Sequence, residues 1–115
     1  MSKEIVFLGD SKERLREFPE EPRISIGHAL RTAQEGGKAL NAKPLKGIGG
    51  GATVIEIFED HDGNTYRAMY TVKIGSKIYV LHAFQKKSKK GIETPKSDID
   101  VIKARLKRAK EMAGD

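Results

Sequence analysis

The spacing of apolar residues changes period along this chain of 115 residues. An apolar run at 3–8 predicts a short first strand. In the second half the period becomes two over three segments that polar turns separate, at 53–58, 65–73 and 77–85. Such alternation is typical of strands, and turns this short connect antiparallel neighbours. We therefore predict an antiparallel meander in this half of the chain.

Helical spacing occurs in three other segments, each with a start or stop signal. The first is 10–18, where Leu15 and Phe18 share a side. The second is 19–37, with the apolar stripe Ile26, Leu30 and Ala33 before Gly36 and Gly37. The third is a last helix that Thr94 caps and Pro95 opens, with the apolar stripe Ile99, Ile102, Leu106 and Ala109. Proline suits a first helical turn and glycine a helix end. Residues 41–52, rich in glycine, are predicted to form a loop.

The order of predicted elements is β-α-α-β-β-β-α, which defines an α+β fold. At this length we expect one domain over residues 1–115. The simplest arrangement packs all helices on one face of the meander sheet. The opposite face would then be open for a ligand.

Positive charge is concentrated near the C-terminus. The chain carries a net charge of +6, and residues 86–110 alone carry +7. Such a concentration of positive charge is typical of a surface that binds nucleic acid or an acidic partner protein. The alternative is a solvated helix face with no partner.

The amino-acid composition limits the kinds of site and the cellular location that we expect. With no cysteine, the chain has no disulfide, thiolate nucleophile or zinc-thiolate site, and suits a reducing compartment. No charged leader with a long apolar segment and no membrane-spanning run is visible, so we expect a cytoplasmic protein that starts near Met1 and has no membrane partner. The three histidines lack paired spacing, so we expect no metal and no other cofactor.

Two charged residues fall in the middle of predicted strands. Arg67 and Glu56 sit in apolar surroundings, where a lone charge is costly to bury. They either pair with each other across neighbouring strands or face a ligand. In the second case Arg67 is a planar, permanently charged donor for phosphate.

His82 is the histidine that falls in a predicted strand, and a run of lysines follows it. It is either a core-edge residue with satisfied nitrogens or a titratable base beside phosphate-binding charge. Cleavage of RNA without a metal requires a base for the ribose 2′-hydroxyl, cations for the phosphorane and an acid for the 5′ oxygen. The candidate cations are Arg67, Lys86 and Lys87, and the candidate base or acid is His82 or Glu56. RNA-binding candidates are Lys46 in the glycine-rich loop and Lys89 and Lys90 in the lysine run.

Five stretches of the chain carry a resemblance to a known family: Lys43–Gly47, the strand with Glu56, Tyr66–Tyr70, Leu81–Lys87, and Thr94-Pro95 before a basic helix. Together they resemble the phage-related branch of the RelE/HigB toxin superfamily. The resemblance covers most of the chain in the right order. It implies a RelE-like fold and a toxin of a type II toxin-antitoxin pair, an endoribonuclease that cuts mRNA in the ribosomal A site.

The resemblance also assigns roles and partners. It matches Arg67 to the strand arginine that binds the scissile phosphate, Lys86 and Lys87 to basic residues ending the last strand, and Lys46 to a loop lysine. It implies an antitoxin partner, expected to be a helix-turn-helix protein encoded next to the toxin, and mRNA on the ribosome as the target. The aromatic or histidine that the superfamily uses near its C-terminus has no match after residue 90, which leaves His82 as the nearest substitute.

Two other functions stay open at this point. The ParE branch shares the fold but inhibits DNA gyrase rather than cutting RNA. A non-catalytic module that binds RNA or a partner through the basic helix is the third possibility.

Overall fold

The structure is a computed structural model that describes residues 2–45, 48, 54–87 and 94–114. Its elements run in the order β1 (Ile5–Phe7), α1 (Ser11–Arg16), α2 (Glu20–Gln34), β2 (Ala42–Pro44), β3 (Val54–His61), β4 (Asn64–Thr71), β5 (Ile78–Lys87) and α3 (Lys96–Ala113). The chain is therefore α+β, as predicted. The helix segments and the last three strands fall close to their predicted places.

The strands form one mixed sheet in the order β1-β5-β4-β3-β2. The antiparallel meander is confirmed for β3, β4 and β5. A simple antiparallel meander is nevertheless the wrong description of the sheet, because β1 pairs with β5 in parallel. Between β1 and β5 the chain forms α1, α2, β2, β3 and β4, and a connection this long allows parallel pairing.

Strand β2 lies where the sequence predicted a loop. Ala42, Lys43 and Pro44 pair antiparallel with β3 and form the edge of the sheet opposite β1. Proline is tolerated on an edge strand, where no neighbour needs its missing N–H. Three residues are too few to show a period, so the strand could not be recognised from the sequence.

The helices pack on both faces of the sheet, so the prediction of one helical face and one open face was wrong. One core joins α1 and α2 to one side of the sheet; its largest members include Phe18, Ile26, Leu30, Ile57 and Tyr70. A separate core joins α3 to the other side through Leu81, Phe84, Ile102 and Leu106. The stripe of α3 has to be buried like any other apolar stripe, and the second face of β5 provides the surface.

Turn chemistry sets the ends of these elements. Asp62 and Gly63 both have positive φ, 49° and 78°, in the hairpin between β3 and β4, as a two-residue turn of type I′ requires. Gly114, with φ 79°, follows α3. Thr94 does not act as the predicted side-chain cap, because Pro95 occupies the N-cap position of α3 and no side chain caps it.

Candidate functional site

Three of the predicted site residues lie on neighbouring strands, Glu56 on β3, Arg67 on β4 and His82 on β5. Glu56 is opposite Met69, Arg67 is opposite Phe84 and His82 is opposite Met69. Cross-strand partners share a face of the sheet, and so do residues two apart on one strand. Glu56, Arg67 and His82 therefore lie together on the α3 side.

A β-bulge is what brings His82 to this side. Tyr70 pairs with Val80 and Met69 pairs with His82, which leaves Leu81 as an extra residue. With strict alternation His82 would share a face with Val80, in the core of α1 and α2, because a one-residue slip exchanges the two faces of a strand. The bulge thus puts His82 on the same face of the sheet as Arg67.

Glu56 and Arg67 form an ion pair in the sheet. Nη1 of Arg67 donates to Oε2 of Glu56 at 2.9 Å, and the side chains are 19% and 3% exposed, respectively. The same Nη1 lies 3.5 Å from Oγ1 of Thr94, just before α3. This is the cross-strand pair that the sequence left as an alternative to a phosphate site.

The pair does not use all donors of the guanidinium. Nε of Arg67 is buried and has no hydrogen-bond partner among the described residues. Buried donors are nearly always satisfied, so an unfilled one beside a charged group is unusual. A guanidinium can offer two parallel N–H donors to a phosphate.

His82 is buried against α3. Its side chain is 3% exposed, and Nε2 lies 2.8 Å from Oδ1 of Asp98 in the first turn of that helix. The ring stacks on Phe84 with 5.2 Å between centroids. Nδ1 is buried without a partner in the described part of the chain.

Burial lowers the pKa of His82 below its ordinary value, while the hydrogen bond to Asp98 opposes that shift. The ring is therefore neutral near pH 7. In a neutral ring the nitrogen facing a carboxylate carries the proton, so Nε2–H donates to Asp98 and Nδ1 keeps a free lone pair. A carboxylate that orients a histidine in this way is a recurrent feature of acid–base sites.

One of the predicted lysines shares a face of the sheet with this site. Lys86 is opposite Thr65, two residues along β4 from Arg67, and so shares its face. Lys87 is opposite Asn64 at the end of β5, and its side chain lies outside the described part. Lys46, Lys89 and Lys90 also lie outside the described residues, so their predicted roles stay predictions.

Three features of the site were not found from the sequence. The sequence identifies Thr94 only as a helix cap and gives Asp98 no role, and their contacts with Arg67 and His82 depend on how α3 crosses the sheet. Lys43 was placed in a loop, but its pairing opposite Glu56 puts it on the same face as Arg67. Recognising β2 was the missing step, and its three residues carry no periodic signal.

Other features of the molecule lie apart from this site. A shallow groove of about 440 Å³ on the α2 side is lined by residues such as Ser25, His28 and Asn41, and by none of the predicted site residues. Among the described residues no cluster of three or more histidines and acids could hold a metal ion. No helix in the same part of the chain is long and apolar enough to span a membrane.

A known protein family matches most of the chain. Residues 13–107 match the family model of the phage-derived Gp49-like proteins (DUF891). Because the match covers most of the chain, the protein belongs to this family, a toxin-like family of toxin-antitoxin systems. No curated protein is similar enough to be matched with the chain.

Proposed function

We propose that this protein is the toxin of a type II toxin-antitoxin pair and that it cleaves mRNA on the ribosome, as the resemblance to RelE and HigB implies. It would act in the cytoplasm, where ribosomes are, and a cognate antitoxin, expected to be a helix-turn-helix protein, would neutralise it. The observation that carries the proposal is the convergence of Arg67, His82 and Lys86 on one face of the sheet.

Each group has a role in the proposed reaction. Arg67 holds the scissile phosphate through donors that Glu56 leaves unfilled, and Lys86 adds positive charge as the phosphorane forms. Nδ1 of His82 takes the proton of the ribose 2′-hydroxyl while Asp98 holds the ring in the required tautomer. The oxygen of that hydroxyl attacks the phosphorus to give a 2′,3′-cyclic phosphate, and the bond to the 5′ oxygen breaks as that oxygen takes a proton from water. Only RNA supplies this internal nucleophile.

Access to His82 requires a movement of α3. Both ring nitrogens are enclosed, Nε2 by Asp98 and Nδ1 by the surrounding core. The first turn of α3 has no fully buried apolar residue, because the buried residues of the helix begin at Ile102. RNA would displace this turn and exchange the contacts of Thr94 and Asp98 for its own.

The same enclosure favours a second candidate, a protein that poisons its target by binding, as ParE-like gyrase inhibitors do. In that function Glu56 and Arg67 would be a structural pair, and His82 with Asp98 would fix α3 on the sheet. In that function α3 would not have to move away from the sheet.

Induced expression in bacteria distinguishes the two. We expect the wild-type chain to stop growth and protein synthesis, and Arg67→Ala to abolish the effect at equal levels of folded protein. The control is Arg31→Ala, on α2, where the side chain is 79% exposed. Growth arrest that persists in Arg67→Ala, or that comes with DNA damage signalling and intact mRNA, would contradict the proposed nuclease.

A further inference from the structure

A lysine covers an aromatic ring beside the candidate site. Nζ of Lys43, on β2, lies 5.1 Å from the centroid of the Phe58 ring on β3. Phe58 is half-buried and Lys43 is exposed. An ammonium over a ring face is attracted by the ring quadrupole, and at an exposed site the attraction is weak. The ring face is therefore accessible to a stronger competitor.

This pair adjoins the arginine that is proposed to hold phosphate. Phe58 is the direct cross-strand partner of Arg67, so the two side chains leave the sheet on the same face about 5 Å apart. The backbone of Phe58 is fixed on β3, since its N–H donates to the Asn41 carbonyl at 3.0 Å. Its carbonyl in turn accepts from Nδ2 of Asn41 at 3.3 Å.

This arrangement of a ring beside cations is chemically complementary to a nucleotide. Single-stranded RNA presents flat bases next to charged phosphates, and proteins bind it with aromatic rings that stack on bases and cations that follow the backbone. An acidic protein partner would use Lys43 and Arg67 but has no need of the flat ring between them.

We propose that Phe58 and Lys43 form a subsite for the nucleotide next to the phosphate held by Arg67. The base stacks on the Phe58 ring in place of the Lys43 ammonium, and Lys43 moves to the phosphate of that nucleotide. Any of the four bases fits, because each has a π-face. The inference rests on the proposed function for the role of Arg67, but the stacking can be measured without cleavage.

The chain offers a matched control. Nζ of Lys12 lies 5.6 Å from the centroid of Phe7, a second lysine–phenylalanine pair of similar geometry. Phe7 is on β1, at the opposite edge of the sheet from β2. It has the same chemistry as Phe58 without the neighbouring Arg67.

A single tryptophan can report the stacking, because the natural chain contains none. Phe58→Trp is titrated with a short single-stranded 2′-O-methyl RNA, which lacks the nucleophile for cleavage, and with an abasic oligonucleotide of equal charge. We expect the base-containing strand to quench the tryptophan and the abasic strand to leave it unchanged. Phe7→Trp should respond to neither.

Loss of the ring provides the second measurement. Phe58→Leu keeps an apolar side chain but removes the π-face, and we expect it to bind the same RNA about tenfold more weakly, the effect of removing one stacking aromatic. Phe7→Leu should bind like the wild type. If Phe58→Leu fails to fold, the tryptophan titration still decides, because Phe58→Trp keeps an aromatic ring.

Three results would overturn the subsite: equal quenching by the abasic strand, equal quenching in Phe7→Trp, or no quenching at saturating RNA. Failure of the nuclease proposal looks different. Toxicity that survives Arg67→Ala, together with base-dependent quenching in Phe58→Trp, would remove the cleavage chemistry and leave the nucleotide subsite. Cleavage that requires Arg67 without such quenching would remove the subsite alone.

Discussion

Nη1 of Arg105, on α3, donates a hydrogen bond of 3.0 Å to the backbone carbonyl of Leu81, the extra residue of the β5 bulge. Nη2 of the same guanidinium pairs with Oδ1 of Asp10 at 2.9 Å. Asp10 is also paired with Arg14, and the two arginines, first Arg14 and then Arg105, lower its pKa to about 2. Arg105 thus links α3, the start of α1 and the bulge that orients His82.

We expect Arg105→Ala to destabilise the fold by about 2 kcal/mol, because it leaves the Leu81 carbonyl without its partner and Asp10 with one cation fewer. Denaturant unfolding measures this change. Arg108→Ala, at an exposed position of the same helix, should change the free energy of unfolding by less than about 0.5 kcal/mol. Equal changes in the free energy of unfolding for Arg105→Ala and Arg108→Ala would show that Arg105 contributes no more to stability than an exposed charge does.

Substitution of Gly9 tests the position of Arg105 independently. Gly9 has φ +54°, and a Cβ placed there would collide with the Arg105 guanidinium. We expect Gly9→Ala to displace Arg105 and to cost about 1–3 kcal/mol, since strain at a left-handed position adds to the collision. The control is Gly36→Ala, with φ +90° and open space around it. Chemical shifts of His82 should change only in Gly9→Ala.

We expect substitutions of Glu56 and Arg67 to have non-additive effects on the free energy of unfolding, because the two side chains form an ion pair. Arg67→Ala leaves the nearly buried Glu56 carboxylate alone, which we expect to cost about 3 kcal/mol. Glu56→Gln in the same background should recover part of that loss, because it removes the uncompensated charge. Unfolding free energies of the four proteins in the cycle measure the coupling. Additive losses would mean that the two side chains do not depend on each other.

The lowered pKa of His82 sets the sign of a pH effect. The unfolded chain binds the proton more readily than the folded one, so the stability from neutral His82 is complete above the ordinary pKa of 6.5 and declines below it. Burial is the main cause of the shift; the charge of Asp98 opposes it, and the more distant charges of Arg105 and Arg14 add to it. We expect stability to fall as the pH drops below about 7 in the wild type and to fall less in His82→Gln. A control, His28→Gln on the exposed side of α2, should keep the wild-type profile.

The sequence predicts the elements of this fold better than their arrangement. The stripe with Ile102 and Leu106 was enough to locate α3, because helical periodicity is a local property. Which face of the sheet α3 covers depends on the whole core, and both faces of β5 offered an apolar surface. The parallel pairing of β1 with β5 is likewise a long-range choice that no local pattern contains.

The candidate site was predictable residue by residue but not as a geometry. Arg67 and Glu56 were recognisable as mid-strand charges, and their pairing was one of the alternatives considered. Asp98 was not recognisable as the partner of His82, because the bulge at Leu81 decides that contact. A bulge of one residue leaves no mark in an apolar run such as 78–84.

The most direct test of the central claim is to map the 5′ ends of cellular mRNA after induction. If the sheet face with Arg67 and His82 is a nuclease site, new 5′ ends should accumulate within translated codons with the wild-type chain and be absent with Arg67→Ala. His82→Gln should reduce their number strongly while binding of 2′-O-methyl RNA is retained. Unchanged 5′ ends in cells whose growth has stopped would contradict the account.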